Sequence, residues 1–437
     1  MSTFPEIPFW LTALKALGTF VVLVVLVLFT IWFERRVVAF MQVRPGPNRN
    51  GPFGLLQSLA DGLKLAFKED ITPRTADKWT FLLAPLIAVT CAFTAFAVIP
   101  MGPEVNMLGH ATPLQLTDFE VSVLLILATS AVGVYGLVLA GWSSGSAYSV
   151  LGSLRAAAQV ISYEIALGLA VLTVFFQSQL TSMSAIVNSQ SEPLQLNIFG
   201  ANVNLPGWYF LILAPSFVIF LISMVGETNR APFDLPEAES ELVSGFATEY
   251  SSLKYASFFL AEYVNMVTMS ALATTLFLGG WRPPFPESWW PAASEGYLPL
   301  VWFFGKVLLM LFVYVWLRGT LPRLRYDQFM RLGWKVLVPV SLVWLMALAA
   351  INIGGGAEQT QATRVAFVGV ASLGVALLIM FWPSRKPYTP PEEPDTGVGG
   401  YPVPPVDLAV PPTPRGMTEL REKDSAELEE SSDRKDN

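Results

Sequence analysis

Long apolar runs separated by short polar links dominate the chain from end to end. Windows of about 18 largely apolar residues, long enough to cross roughly 30 Å of hydrocarbon as a helix, recur at Leu17 to Phe33, Trp79 to Ile99, Val121 to Ala140, Ala156 to Phe176 and Trp208 to Val225, then at Ser257 to Leu278, Leu298 to Leu317, Trp334 to Ile353 and Val365 to Trp382. The short alternating segments of a membrane barrel are absent. The pattern predicts an all-α polytopic bundle of about nine transmembrane helices within residues 1–382.

One polar link breaks its pattern in an informative way. After the turn-forming run Arg44-Pro45-Gly46-Pro47-Asn48-Arg49-Asn50-Gly51-Pro52, Leu55, Leu59, Leu63, Ala66 and Phe67 fall on one helical face and Gln57, Ser58, Asp61, Lys64 and Lys68 on the other. Too short and too polar to span, this stretch of about 54–68 predicts an amphipathic helix lying along the membrane surface. It reads either as a plain interfacial anchor or as a doorway at lipid level, where the polar head of an amphiphile would meet Arg36, Arg44, Lys64 and Arg230.

Composition agrees with the pattern, with 53% hydrophobic and only 14% charged residues and a mean hydropathy of +0.50. Charge then sets an orientation. The link between the first two spans carries Arg35, Arg36, Arg44, Arg49, Lys64, Lys68, Arg74 and Lys78, whereas the next, from Pro100 to Asp118, has no Lys or Arg. The first link is therefore expected in the cytoplasm, the N-terminus outside and the C-terminus inside. With Glu34-Arg35-Arg36 where a cleavage site would need small residues, the first span reads as a retained anchor. Residues 383–437 form a Pro-rich, acidic tail of a composition expected to be disordered.

The scarce chemistry is acidic. From Glu227 to Glu262 the chain holds seven carboxylates, Glu227, Asp234, Glu237, Glu239, Glu241, Glu249 and Glu262, against two cations, Arg230 and Lys254. Most of them fall in an acidic cytoplasmic link, 226–254. Asp234-Leu235-Pro236-Glu237 has the form of a helix start with a capping box. That leaves Glu241, one turn on, to be offset by a shared proton or by cations such as Arg323 and Arg325. Glu164, Glu262 and Lys306 fall inside spans, where each costs several kcal/mol unless paired, hydrated or neutralised, about 2.5–3.5 at the centre. A static ion pair of Lys306 with a glutamate would explain part of this set; a path for protons would explain all of it.

Other chemistries are poorly supplied. Cys91, the only cysteine, lies in the second span and reads as a packing residue; His110, the only histidine, reads as a loop residue. Haem, iron–sulfur clusters and structural zinc are not expected in this chain, and Gly354 to Gly356 is a loop without the strand of a nucleotide fingerprint. No metal site and no nucleic-acid partner are expected.

Several of these stretches together resemble a known family. Glu34-Arg35-Arg36, Gln42 to Arg49, Lys68-Glu69-Asp70, Gly141-Trp142, Leu154 to Glu164, Glu227 to Glu239 and Arg318 to Gln328 are similar to the H subunit of bacterial NADH-quinone oxidoreductase, the mitochondrial NADH dehydrogenase subunit 1 family of respiratory complex I. The resemblance runs from about residue 10 to 352. The ninth span looks like an addition to a family whose members often have eight, and the tail is outside its pattern.

This resemblance implies a multi-pass subunit of the bacterial plasma membrane that docks the membrane arm to the peripheral arm and forms the mouth and wall of a quinone tunnel. It would have no redox centre and no catalytic residue of its own; FMN and iron–sulfur clusters would sit in partner subunits, with quinone as substrate. Arg36, Arg44, Lys64, Phe67, Arg230, Phe233 and Arg323 would line or brace the passage. Glu164, Glu227, Asp234, Glu237, Glu239, Glu241, Glu249, Glu262 and Lys306 would couple it to proton transfer. Three other readings stand beside it: a related membrane subunit of an energy-converting hydrogenase, which would lack the Gly-Pro-Asn-Arg doorway; a secondary transporter, which would show paired broken helices; and a passive scaffold, which would need no buried charge.

Overall fold

The computed structural model describes residues 8–191, 194–198, 201–234, 242–285 and 290–354. The expected ninth span, the tail and Glu237, Glu239 and Glu241 lie outside these residues. Long helices make up most of the rest: α1 (Phe9–Met41), α3 (Lys78–Phe96), α4 (Ser122–Ser143), α5 (Ala147–Ser178), α9 (Ser252–Phe277) and α10 (Leu298–Thr320), with shorter α2 (Gln57–Ala66), α6 (Met183–Ser189), α7 (Tyr209–Ile212), α8 (Ala214–Glu227), α11 (Tyr326–Leu332) and α12 (Val338–Gly354). Seven helices among the described residues are long and apolar enough to cross a membrane, with α11 and α12 counted as one.

Three departures from the sequence expectation have local causes. The fifth segment is interrupted at Leu213, where Pro215 follows and cannot donate to the preceding turn, so Ala214–Glu227 is only 14 residues long. The helix expected at the membrane surface begins at Gln57 and not near 54, because Gly51, Phe53 and Gly54 all take positive φ and hold the chain in a tight turn before it. The last described span carries a π-helical turn at Gly333–Leu337, where Gly333 brings the backbone against Tyr163.

Two of the links that lack Lys and Arg form antiparallel hairpins, β1 (Gly102–Met107) with β2 (His110–Leu114) and β3 (Leu194–Ile198) with β4 (Ala201–Leu205). Leu108 and Gly109, both at positive φ, make the two-residue turn of the first. Lys15 of α1 donates to Thr112 Oγ1 and Pro113 O at 2.8 Å, and Asp118 accepts from Ser182 and Ser184, which fastens this hairpin end of the bundle together.

At the opposite, basic end the core is aromatic and small-residue packed. Tyr163 stacks on Phe329 with ring centres 4.2 Å apart, and its hydroxyl donates to Phe329 O at 3.0 Å. Gly226 leaves room for the same ring, since a Cβ there would lie 2.5 Å from Tyr163 Cδ1. The segment after α2 is tied to the start of α9: Ile71 N donates to Ser251 Oγ at 2.8 Å, Ser252 Oγ donates to Leu65 O at 3.1 Å, and Lys254 pairs with Asp70 at 2.9 Å. Tyr250 stacks on Phe81 at 3.9 Å beside this tie.

Candidate functional site

Helix α1 does not stop at the last apolar residue of its span; it runs two more turns, and the first polar residue of that extension, Glu34, is buried. Such a carboxylate needs partners. Arg318, near the end of α10, donates to Glu34 Oε1, and Tyr263 of α9 donates to Glu34 Oε2 at 2.7 Å. Arg230 approaches the same Oε1 at 3.8 Å and sets its Nε 3.0 Å from Glu262 Oε1, an ion pair without the alignment of a good hydrogen bond. Its guanidinium also lies 4.0 Å from the Tyr263 ring centre. Burial works against charge on Arg230, but Glu262, with Tyr263 and Glu34, outweighs it and holds the pKa well above the ordinary range. Two acids and two bases, drawn from α1, α9, α10 and the loop after α8, thus form one buried cluster.

The loop that carries Arg230 is held rigidly. Gln159 of α5, fully buried, donates to Gly226 O and to Phe233 O, both at 2.8 Å, bridging its two ends. Thr228 and Tyr314 each donate to Met224 O, and Leu324 N donates to Pro232 O. The Ala231–Pro232 peptide is cis.

A cavity of about 70 Å³ opens beside this cluster, between α3, α4, α5, the loop and α9. Since one water needs roughly 10–15 Å³ on this measure, it has room for several. Glu227 and Glu262 both line it, with Ser130, Asn229, Asn265 and Cys91. Glu227 is 7% exposed; Ser130 donates to its Oε1, while Oε2 has no hydrogen-bond partner. Glu164, half-buried in α5, is near enough to act on Glu227 by charge.

The other expected site residues are distributed unevenly. Arg36 braces the turn-rich link, donating to Pro47 O at 3.1 Å and Asn48 Oδ1 at 2.9 Å. Arg44 donates to Gln42, and Lys64 and Phe67 are exposed on or just past α2, Phe67 at 88%. Phe233 is a packing residue buried against Tyr163 and Phe329. Arg323 pairs with Asp234 at 2.9 Å, whereas Glu241, the acid it is expected to offset, lies outside the described residues. Glu249 is half-buried just before α9.

Lys306 stands apart from the carboxylates, at the hairpin end. Its ammonium donates to Leu278 O at 2.6 Å, Gly280 O at 3.0 Å and Arg282 O at 2.6 Å, carbonyls of the turn that follows α9, and sits 4.2 Å from the Trp208 ring centre.

Sequence reading missed Glu34, Arg318, Tyr263 and Ser130. The signal for Glu34 was present: it lies 7 and 11 residues after the buried Val27 and Leu23, on the same helical face. Ser130 carried none, being one hydroxyl in an apolar helix. Among the described residues no group of three His, Cys, Asp or Glu is placed to hold a metal.

The bundle and its buried ion cluster define a polytopic helical membrane protein with charge held inside the helices' packing. The family model described as NADH dehydrogenase matches residues 14–349. A curated relative, the NADH-quinone oxidoreductase H subunit of Streptomyces avermitilis, is 52% identical over 429 residues, covering 95% of this chain and 91% of the relative. The chain belongs to this family, and is a subunit of NADH-quinone oxidoreductase, the oxidoreductase complex I.

Proposed function

We propose that this chain forms the entrance and wall of a quinone passage and couples quinone reduction to proton movement through its buried carboxylates. The observation that carries the reading is Arg230, clamped between Glu34 and Glu262 directly beside a cavity that has room for several waters and reaches Glu227. A charge change at the basic end of the bundle alters how tightly Arg230 holds each acid. Glu262 then passes the change, through water in the cavity, to Glu227 and Glu164. Asp234, Glu237, Glu239, Glu241 and Glu249 would connect this set to the surface that meets the peripheral arm.

The exposed apolar face of α2, with Leu59, Leu63 and Phe67, suits a helix lying at lipid level in the bacterial plasma membrane, N-terminus outside, next to the basic turn of Arg36 and Arg44. A quinone entering from the bilayer would pass there. Lys64 and Arg323 would meet its polar head, and Phe233 would support the passage from behind. Flavin and iron–sulfur clusters in partner subunits would supply the electrons.

The test is replacement of Glu164 or Glu227 by Gln in the assembled complex. Electron transfer from NADH to an artificial acceptor should stay intact while quinone-linked turnover and proton translocation fall. Full pumping stoichiometry in both variants would count against the coupling role.

A further inference from the structure

Two acceptors carried by residues that line the Glu227 cavity have no donor. Glu227 Oε2 is buried and unpartnered, and Asn229 Oδ1, from a residue that lines the same space, is likewise buried without a donor. Around them stand the Ser130 hydroxyl, already directed at Glu227 Oε1, and the side chains of Thr129, Asn265 and Thr268. The charge is also one-sided. Glu262 has Arg230 as its counter-ion, but the group that acts on Glu227 by charge is Glu164, a second acid. An ionised carboxylate in this position lacks a cation.

We propose that the cavity between α3, α4, α9 and the Glu227 loop is a binding site for a single alkali-metal cation, held by the Glu227 carboxylate and the Asn229 amide oxygen with hydroxyl and water oxygens completing its shell. Hard oxygen donors of this kind select hard cations over soft ones. The charge count selects a monovalent ion, because among the described residues Glu227 is the one lining carboxylate without a basic partner and no cluster of three acidic, His or Cys ligands exists. The volume, several times that of one water, accommodates an ion that keeps part of its hydration. This site stands on the cavity's own geometry and is independent of whether quinone uses the passage.

Equilibrium binding of radioactive sodium, and in parallel of radioactive rubidium as a potassium stand-in, to the intact purified complex tests it. The parent complex should hold one more bound ion per copy than complexes with Glu227→Gln or Asn229→Leu, and the isotope that shows the difference identifies the ion. Ser130→Ala removes a single hydroxyl from a helix that is otherwise untouched, so it guards against a variant that fails to assemble; it should weaken binding by about tenfold, the equivalent of one lost hydrogen-bonding partner. Equal bound ion in the parent and all three variants, for both isotopes, would mean that the cavity holds water and a protonated carboxylate only, and the proposal would be wrong.

Discussion

Tyr263 grips Glu34 and Arg230 at once. Its hydroxyl donates to the Glu34 carboxylate at 2.7 Å while its ring face lies 4.0 Å from the Arg230 guanidinium. One side chain therefore fixes the distance between an acid and a base that approach each other only to 3.8 Å. Tyr263→Phe keeps the ring and deletes the hydrogen bond, which to a charged acceptor is worth about 1.5–3 kcal/mol. Tyr263→Leu removes both and should cost a further ~0.5–2 kcal/mol. Thermal unfolding of the purified complex should rank parent, Phe and Leu in that order; a Phe variant as unstable as the Leu one would exclude a role for the ring.

Arg230→Met removes the Arg230 counter-ion from Glu262 beside the cavity, with an expected cost of about 3–5 kcal/mol for a broken buried pair. Glu34 still has Arg318. Adding Glu262→Gln to the Arg230→Met chain should therefore recover much of the loss, and the yield of assembled complex from single and double variants measures it. Additive losses would show that Arg230 and Glu262 act separately.

Lys306→Met leaves three carbonyls of the turn after α9 without their donor. Assembly should weaken, by about 1–3 kcal/mol for each acceptor that water does not reach. The ratio of protons moved to electrons transferred should not change in the complex that does form. A lowered ratio would bring Lys306 back into the proton path.

Gly226→Ala drives a methyl group into Tyr163, whose Cδ1 would be 2.5 Å away. Overpacking of this kind costs about 1–3 kcal/mol. Because Glu227 is the next residue, quinone-linked turnover should fall by more than the loss of assembled complex accounts for, as read from turnover per assembled complex.

Burial pushes the Tyr250 phenol up from its ordinary 10 to about 12, the hydrogen bond with Ser143 acting the other way. The unfolded chain releases this proton first as pH rises, so the contribution is whole below pH 10 and is lost towards pH 12. Tyr250→Phe should flatten the alkaline fall in melting temperature across that interval.

The membrane-spanning helices were legible because a bilayer tolerates little except an apolar helix, and runs such as Val121 to Ala140 appear almost unchanged as α4. Where the structure departs, a local conformation outweighs hydropathy. Pro215 divides the fifth segment, and three residues of positive φ shorten α2, while an 18-residue average sees neither. The first hairpin was readable in principle from Leu108-Gly109, since a glycine in a short polar link permits the turn it makes.

Site chemistry was legible as residue types and not as partners. Glu164, Glu227, Glu262 and Arg230 stood out because charge is rare in this chain, but a sequence does not say which of two acids a base will join. Arg230 reaches both Glu34 and Glu262, which lie 228 positions apart. Lys306 stood out on the same ground, yet its partners are backbone oxygens, which no residue name announces.

The threefold fastening of the α2 segment to the start of α9 has a mechanical meaning. Ser251, Ser252 and Lys254 grip residues 65–71 two to three turns before Glu262 on the same rigid rod. A displacement of the α2 segment is thus relayed along a stiff lever to the ion cluster, and a short helix becomes a handle on the innermost charges.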